Sequence, residues 1–309
     1  MIRIILRSIL AIPLLLSLTA VNVLAGVCDS EGLTSDVPQN SSAPSGAAIA
    51  QNIRNTPGGG QERDNQVLEQ ISCGNLSPQL SKLVPVKMGG ITICVMPDYL
   101  SLGNNDDNIR VPLGLPAAMR AAQQLGMTLP TKKMVDAIYA QADTQLIGRP
   151  RGPSSKMENM TEILANDETI DGQLKGVTNP GLIAGHKKDV VIANRLASKP
   201  GSIAIYGWQK SNPVKGQALR PWQPLSTPHH KNYADYSHGI RFVSQYAYVD
   251  GKKYRLNDLL TNPKTATALN HQGVMPESVL KGFEKSEKLP NCSSGSPQGQ
   301  GRQGTKSNQ

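Results

Sequence analysis

Histidine is scarce in this chain, with five among 309 residues, and none falls outside the span from His186 to His271. No His-x-x-x-His or His-Glu-x-x-His pair occurs, which excludes the helix-borne zinc site of metallopeptidases. No Gly-x-Ser-x-Gly elbow occurs either, which argues against a serine hydrolase of the α/β kind. Basic blocks interleaved with aromatics are missing, so nucleic acid is a poor partner. The one apolar run, Ile9 to Leu18, is too short for a stable membrane span.

That run does suit an exported chain. Arg3 and Arg7 supply a positive start, and Val23-Leu24-Ala25 a small-residue cleavage site before Gly26. A signal peptide is therefore expected over 1–25, with the mature protein periplasmic or secreted. Export bears on the cysteines. Cys28, Cys73, Cys94 and Cys292 form an even set without metal-like spacing, so disulfides are expected in an oxidising compartment. Cys73 with Cys94 is the natural local pair, leaving Cys28 for Cys292, although four cysteines permit three connectivities. The formal charge of +9 falls to about +7 once Arg3 and Arg7 are lost, which favours a cell-envelope polymer or other polyanionic glycan as partner.

Residues 26–68 are rich in Ser, Pro, Asn and Gly and read as a flexible leader; 286–309 reads as a disordered tail. Between them, 69–285 suffices for a single domain. Its first part predicts helices over 116–125, from Thr131 onward, and over 156–167. The second part predicts strands over 202–206 and 240–248, then an Asp250-Gly251 hairpin turn. Helices first and strands mainly later define an α+β fold.

The chemistry concentrates in the second part. Both tryptophans and six of the eight tyrosines share the histidine-bearing stretch out to Tyr254. His186 follows Gly185, and Asp189 is placed to cap a helix over 190–196, which would set His186 beside a helix N-terminus. His238 stands before Gly239 at a strand start, with Asp235 near enough in sequence to orient it. These four are the candidate catalytic residues. Arg241, Tyr206, Trp208, Tyr236 and His230 are the candidate substrate-binding residues, and His229 and His271 read as bystanders. No cofactor is evident, although histidines and aspartates in this number are chemically adequate for a divalent metal such as zinc. The acids at Asp98, Asp106 and Asp107 lack the glycine and terminal glutamate of an EF-hand and read as a solvated turn.

Ser237-His238-Gly239-Ile240-Arg241 resembles part of the Ser-His-Gly-Cys-Ile/Val-Arg signature of the L,D-transpeptidases of peptidoglycan, and Ala204-Ile205-Tyr206-Gly207 resembles the strand that precedes it. The signature's cysteine is missing here and Tyr206 replaces its histidine, so that resemblance does not imply a thiol mechanism. More widely, Pro97-Asp98-Tyr99-Leu100, the run from Leu129 to Asp136, Gly185 to Asp189 and Asp235 to Gly239 resemble an uncharacterised family of exported bacterial proteins. That resemblance implies export and no particular activity. The expected function is a hydrolase or transferase acting on cell-envelope glycan or peptide through histidine acid–base chemistry. The alternatives are an envelope-binding protein without catalysis and a secreted polysaccharide lyase.

Overall fold

The computed structural model describes residues 28, 39–55, 60–210, 219–284 and 287–292. The expected signal peptide and the last seventeen residues lie outside the described residues. Helices α1 (Gly46–Asn55) and α2 (Gly60–Ser72) lead into strands β1 (Val84–Met88), β2 (Ile91–Val95), β3 (Ser101–Gly103) and β4 (Asn108–Arg110). Next come α3 (Leu115–Gln124), β5 (Met127–Thr128), α4 (Lys132–Gln141), β6 (Thr144–Gln145) and α5 (Met160–Leu174). The later part holds β7 (Ile183–Ala184), β8 (Lys188–Val190), β9 (Ser202–Gln209), β10 (Pro221–His230), β11 (His238–Gly239), β12 (Val243–Val249) and β13 (Lys252–Arg255). Three short helices, α6 (Leu256–Thr261), α7 (Ala266–Leu269) and α8 (Glu277–Glu284), close the chain. The fold is α+β, as its pattern of elements predicts.

Local chemistry accounts for several boundaries. Pro116 occupies the first turn of α3, Ala117, Ala118, Ala121 and Ala122 bury one face, and Gly126 stops the helix at φ 65°. Thr131 caps α4 by accepting a hydrogen bond from the Met134 amide. Asp250 and Gly251 both take positive φ, which matches the twist of the β12–β13 hairpin. α5 begins at Met160 rather than Lys156, after a turn closed by the Asn159 amide on the Lys156 carbonyl.

Two sheets organise the domain. The five-stranded sheet runs β1-β2-β12-β13, with β5 also on β12, so hairpins from distant parts of the chain meet through β2 and β12. The second sheet runs β10-β9-β8-β11, antiparallel except where β11 lies parallel to β8. Residues 240–242 carry the chain from one sheet to the other. Along the way the Ile240 carbonyl accepts from the Leu100 amide and the Phe242 carbonyl from Met96.

The structure corrects the reading of the leader. Its described residues include α1 and the first part of α2, and these two helices place Ile49, Ile53, Val67, Leu68 and Ile71 in the main core. The Asp107 carboxylate and carbonyl accept from the Ala47 and Gly46 amides and so satisfy the start of α1. Sparse apolar residues at helical spacing suffice here because a preformed surface receives them. Disulfides are present as expected, with a different connectivity: Cys28–Cys94 and Cys73–Cys292. Cys94 lies inside β2 and is fully buried, and Cys28 of the leader, with its Cα 5.5 Å away, is its partner in place of Cys73.

Peptide mapping without reduction should recover Cys28 linked to Cys94 and Cys73 linked to Cys292. Replacing either pair by alanine should lower unfolding free energy by roughly 2–4 kcal/mol, measured by urea titration.

Candidate functional site

Seven of the nine sequence-proposed residues divide between two surroundings. The inner one forms around Asp98, which is 2% exposed. Arg110 Nε donates to Asp98 Oδ2 at 2.9 Å, and its Nη1 reaches Asp167 and Asp171, each at 2.9 Å. His186 Nε2 meets Asp98 Oδ1 at 3.1 Å. Burial opposes a charge on Asp98, but Arg110 and then His186 outweigh it and hold the carboxyl well below the usual range. Burial lowers the His186 pKa to about 4 against the pull of Asp98, so at neutral pH the ring is neutral and donates from Nε2.

Asp189 and Arg241 belong to this interior too. The Tyr99 hydroxyl donates to Asp189 Oδ2 at 2.9 Å, and burial raises the Asp189 pKa to about 7. The Arg241 guanidinium lies over the Tyr99 ring, 4.4 Å from its centroid, and donates to the Met96 and Ile183 carbonyls. The cavity bounded by Tyr99, Asp189, Trp208 and Arg241 measures about 10 Å³, room for about one water and not for a substrate. His186, Asp189 and Arg241 therefore brace the fold. The expected helix after Asp189 is a correction as well: Asp189 pairs within β8, and only a short 3-10 turn follows at Asn194–Ala197. Val190 ends β8, and the β-branched run continues past it, the Val191 amide donating to the Ala204 carbonyl and the Ile192 amide to the Pro130 carbonyl.

The outer group gathers on β8, β10, β11 and the loop before β11. His238 pairs with Lys188 across the parallel β11–β8 ladder. Its ring is fully buried, and neither nitrogen has a hydrogen-bond partner. Tyr233 meets it edge-on, with centroids 5.7 Å apart, and His229 lies 6.1 Å away while stacking on Tyr233 at 4.3 Å. Asp235 is built into the loop: its Oδ1 accepts from the amide and hydroxyl of Ser237, and its Oδ2 from the Tyr233 hydroxyl at 3.1 Å. Burial lowers the His238 pKa to about 4; Asp235 opposes this, while Lys188, His229 and Arg63 add to it. Burial also works against charge on Asp235, yet His238, Ser237 and Lys188 keep its carboxyl below the usual value.

Aromatic walls flank this group. Lys188 Nζ sits 4.8 Å from the centre of the Trp208 ring, and Trp208 meets Tyr236 edge-on at 6.3 Å. Trp208 has φ 62°, a conformation uncommon for a bulky residue. Gly148 makes room for it, because a Cβ there would fall 2.2 Å from the indole. Tyr236 is buried, and its hydroxyl exchanges hydrogen bonds with the amide and carbonyl of Arg151.

Of the nine candidates, His238, Asp235, Trp208 and Tyr236 thus share one neighbourhood. Tyr206 does not join them: its hydroxyl donates to Asp136 Oδ1 on α4 at 2.6 Å. His230 is exposed and accepts from the Asn232 amide in a turn. Sequence reasoning missed Lys188, Tyr233 and His229, and Asp98 within the interior. His229 is no bystander, since the β10–β9 pairing sets it opposite Ile203 and its ring packs on Tyr233. Asp98 belongs to no solvated turn, and its signal was the apolar strand running directly into it.

Among the described residues no three His, Cys, Asp or Glu side chains are grouped to hold a metal ion. A larger cavity of about 250 Å³ opens between Ser72, Gln124 and residues 288–292. It contains no acid–base pair, so the His238 neighbourhood is the better chemical candidate. No protein-family model, curated protein or solved structure matches the chain.

The buried groups titrate with opposite signs. His238 has its pKa lowered on folding, so its share of stability is complete above about pH 6.5 and lost as pH falls towards 4. Asp189 has its pKa raised, so its share is complete below about pH 4 and lost as pH rises through 7. The stability difference between wild type and His238→Gln should shrink by on the order of 3 kcal/mol from pH 7 to pH 4. For Asp189→Asn it should instead shrink as pH rises over that interval. Urea unfolding at several pH values checks both slopes.

Proposed function

We propose that the protein is an exported enzyme, a hydrolase or transferase acting on cell-envelope glycan or peptide, with His238 as its proton-transferring group. One observation carries the reading: a buried imidazole with two unpartnered nitrogens, beside a carboxylate held in place by three hydrogen bonds. A neutral ring of this kind accepts a proton from an attacking hydroxyl or water and returns it to the leaving group. Asp235 opposes the lowering of the His238 pKa through its charge, without a hydrogen bond to the ring, and in this way would stabilise the imidazolium formed in between. Trp208 and Tyr236 would flank the substrate, which would have to displace the half-buried Tyr233 ring packed edge-on against His238. Two disulfides fit an oxidising compartment, and no described helix is long and apolar enough to cross a membrane.

A second reading, binding to the envelope without catalysis, is favoured by Trp222. This ring is 49% exposed on β10, with Lys210 Nζ 4.6 Å from its centre, an arrangement suited to stacking on a sugar face.

Isolated cell-wall sacculi test the two together. Wild type should release soluble fragments, His238→Gln should slow release by at least about 100-fold, and Asp235→Asn should slow it less. Release unchanged in both variants would overturn the assignment. Retention on sacculi without release, unaffected by His238→Gln and abolished by Trp222→Ala, would establish the binding reading.

A further inference from the structure

Two adjacent lysines at the entry to β8 differ in a way that bears on the reaction. Lys187 is buried and committed, its Nζ donating to Asn166 Oδ1 at 2.7 Å and to the Tyr236 carbonyl at 2.8 Å. Lys188 points elsewhere. Its ammonium rests against the Trp208 ring and makes no hydrogen bond or ion pair among the described residues. The parallel ladder sets Lys188 directly opposite His238. A cation with its donors unspent thus stands beside a proton acceptor with its lone pair unspent.

Resting on the reading of His238 as acid–base, the geometry points to Lys188 as a further catalytic residue, the cation that stabilises the oxyanion of an acyl-transfer reaction. The substrate bond is then an amide or ester, and the co-reactant a water or a hydroxyl. His238 takes the proton of the attacking hydroxyl as its oxygen bonds to the carbonyl carbon, and the carbonyl π pair moves onto the oxygen facing Lys188. Collapse restores the carbonyl, breaks the bond to the leaving nitrogen or oxygen, and sends that group away with the proton from His238. Glycosidic cleavage would call for a pair of carboxylates across the scissile bond. Asp235 is the acid set against His238, and it is already bonded to Ser237 and Tyr233. Burial lowers the Lys188 pKa, with Asp235 opposing, and a partly desolvated ammonium interacts more strongly with a developing negative charge.

The experiment measures primary amines and reducing ends released from isolated sacculi by wild type, Lys188→Met, Lys188→Arg and His238→Gln, with Tm recorded for each. The expected result is amine release, lowered about 100- to 1,000-fold in kcat by Lys188→Met with KM little changed, and restored to within about tenfold by Lys188→Arg, which keeps the charge. Lys188→Gln replaces the methionine variant if that one does not fold. Should Lys188→Met match wild type while His238→Gln is inactive, the role of Lys188 is overturned and the acid–base reading stands. Release of reducing ends in place of amines would also overturn acyl transfer. If His238→Gln is fully active, the underlying reading itself fails.

Discussion

The crossing between the two sheets depends on one buried cation. Residues 240–242 run from β11 into β12 against residues 96–100, and Arg241 sits at that junction with no exposed surface. Its guanidinium donates to carbonyls on two separate segments, at Met96 and Ile183, and lies over the Tyr99 ring. A buried guanidinium is costly unless its donors are used, and its removal would leave carbonyls without partners in a dry interior. Arg241 therefore sets which backbone segments can meet at this point. Tyr99, held beneath it, passes the constraint to Asp189 through its hydroxyl.

From that junction the polar interior spreads in two directions. One branch runs from Asp98 through Arg110 to Asp167 and Asp171, and ties β4 to α5. The other runs along β8, where Asp189 faces the interior and Lys188 stands beside His238. Gly239 completes the arrangement: a Cβ there would come within 2.6 Å of both Lys187 and the Tyr99 ring, so only glycine lets β11 lie against β8. The His238 neighbourhood thus inherits its position from the network around Arg241 and Asp98. Rigid support of this kind is what a site needs to hold a proton acceptor in one orientation.

Much of the framework was legible because it depends on neighbours in sequence. Thr131 before α4, Pro116 within the first turn of α3, and Asp250-Gly251 between β12 and β13 each act over a few residues. The helices at 46–72 were obscured because their glycine- and serine-rich surroundings dilute the apolar signal. The site was only partly legible. His238 and Asp235 are three residues apart and share a loop, so proximity along the chain sufficed. His229 reaches the same place through pairing with β9, after two register shifts in β10. No local pattern reports those shifts.

The sequence by itself determined the α+β class, the concentration of chemistry in the second part and the expectation of disulfides, since each follows from composition or short-range pattern. Only the tertiary structure decided the cysteine partners, because pairing requires Cα atoms brought about 5 Å apart from positions 66 and 219 residues distant. It alone separated His186 from His238. Both histidines stand next to a glycine, both are buried, and both have lowered pKa values. One spends Nε2 on Asp98 deep in the network, while the other keeps both nitrogens unpartnered beside Asp235 and Lys188. That difference lies in which chains of contacts close around each ring, and these contacts are long-range.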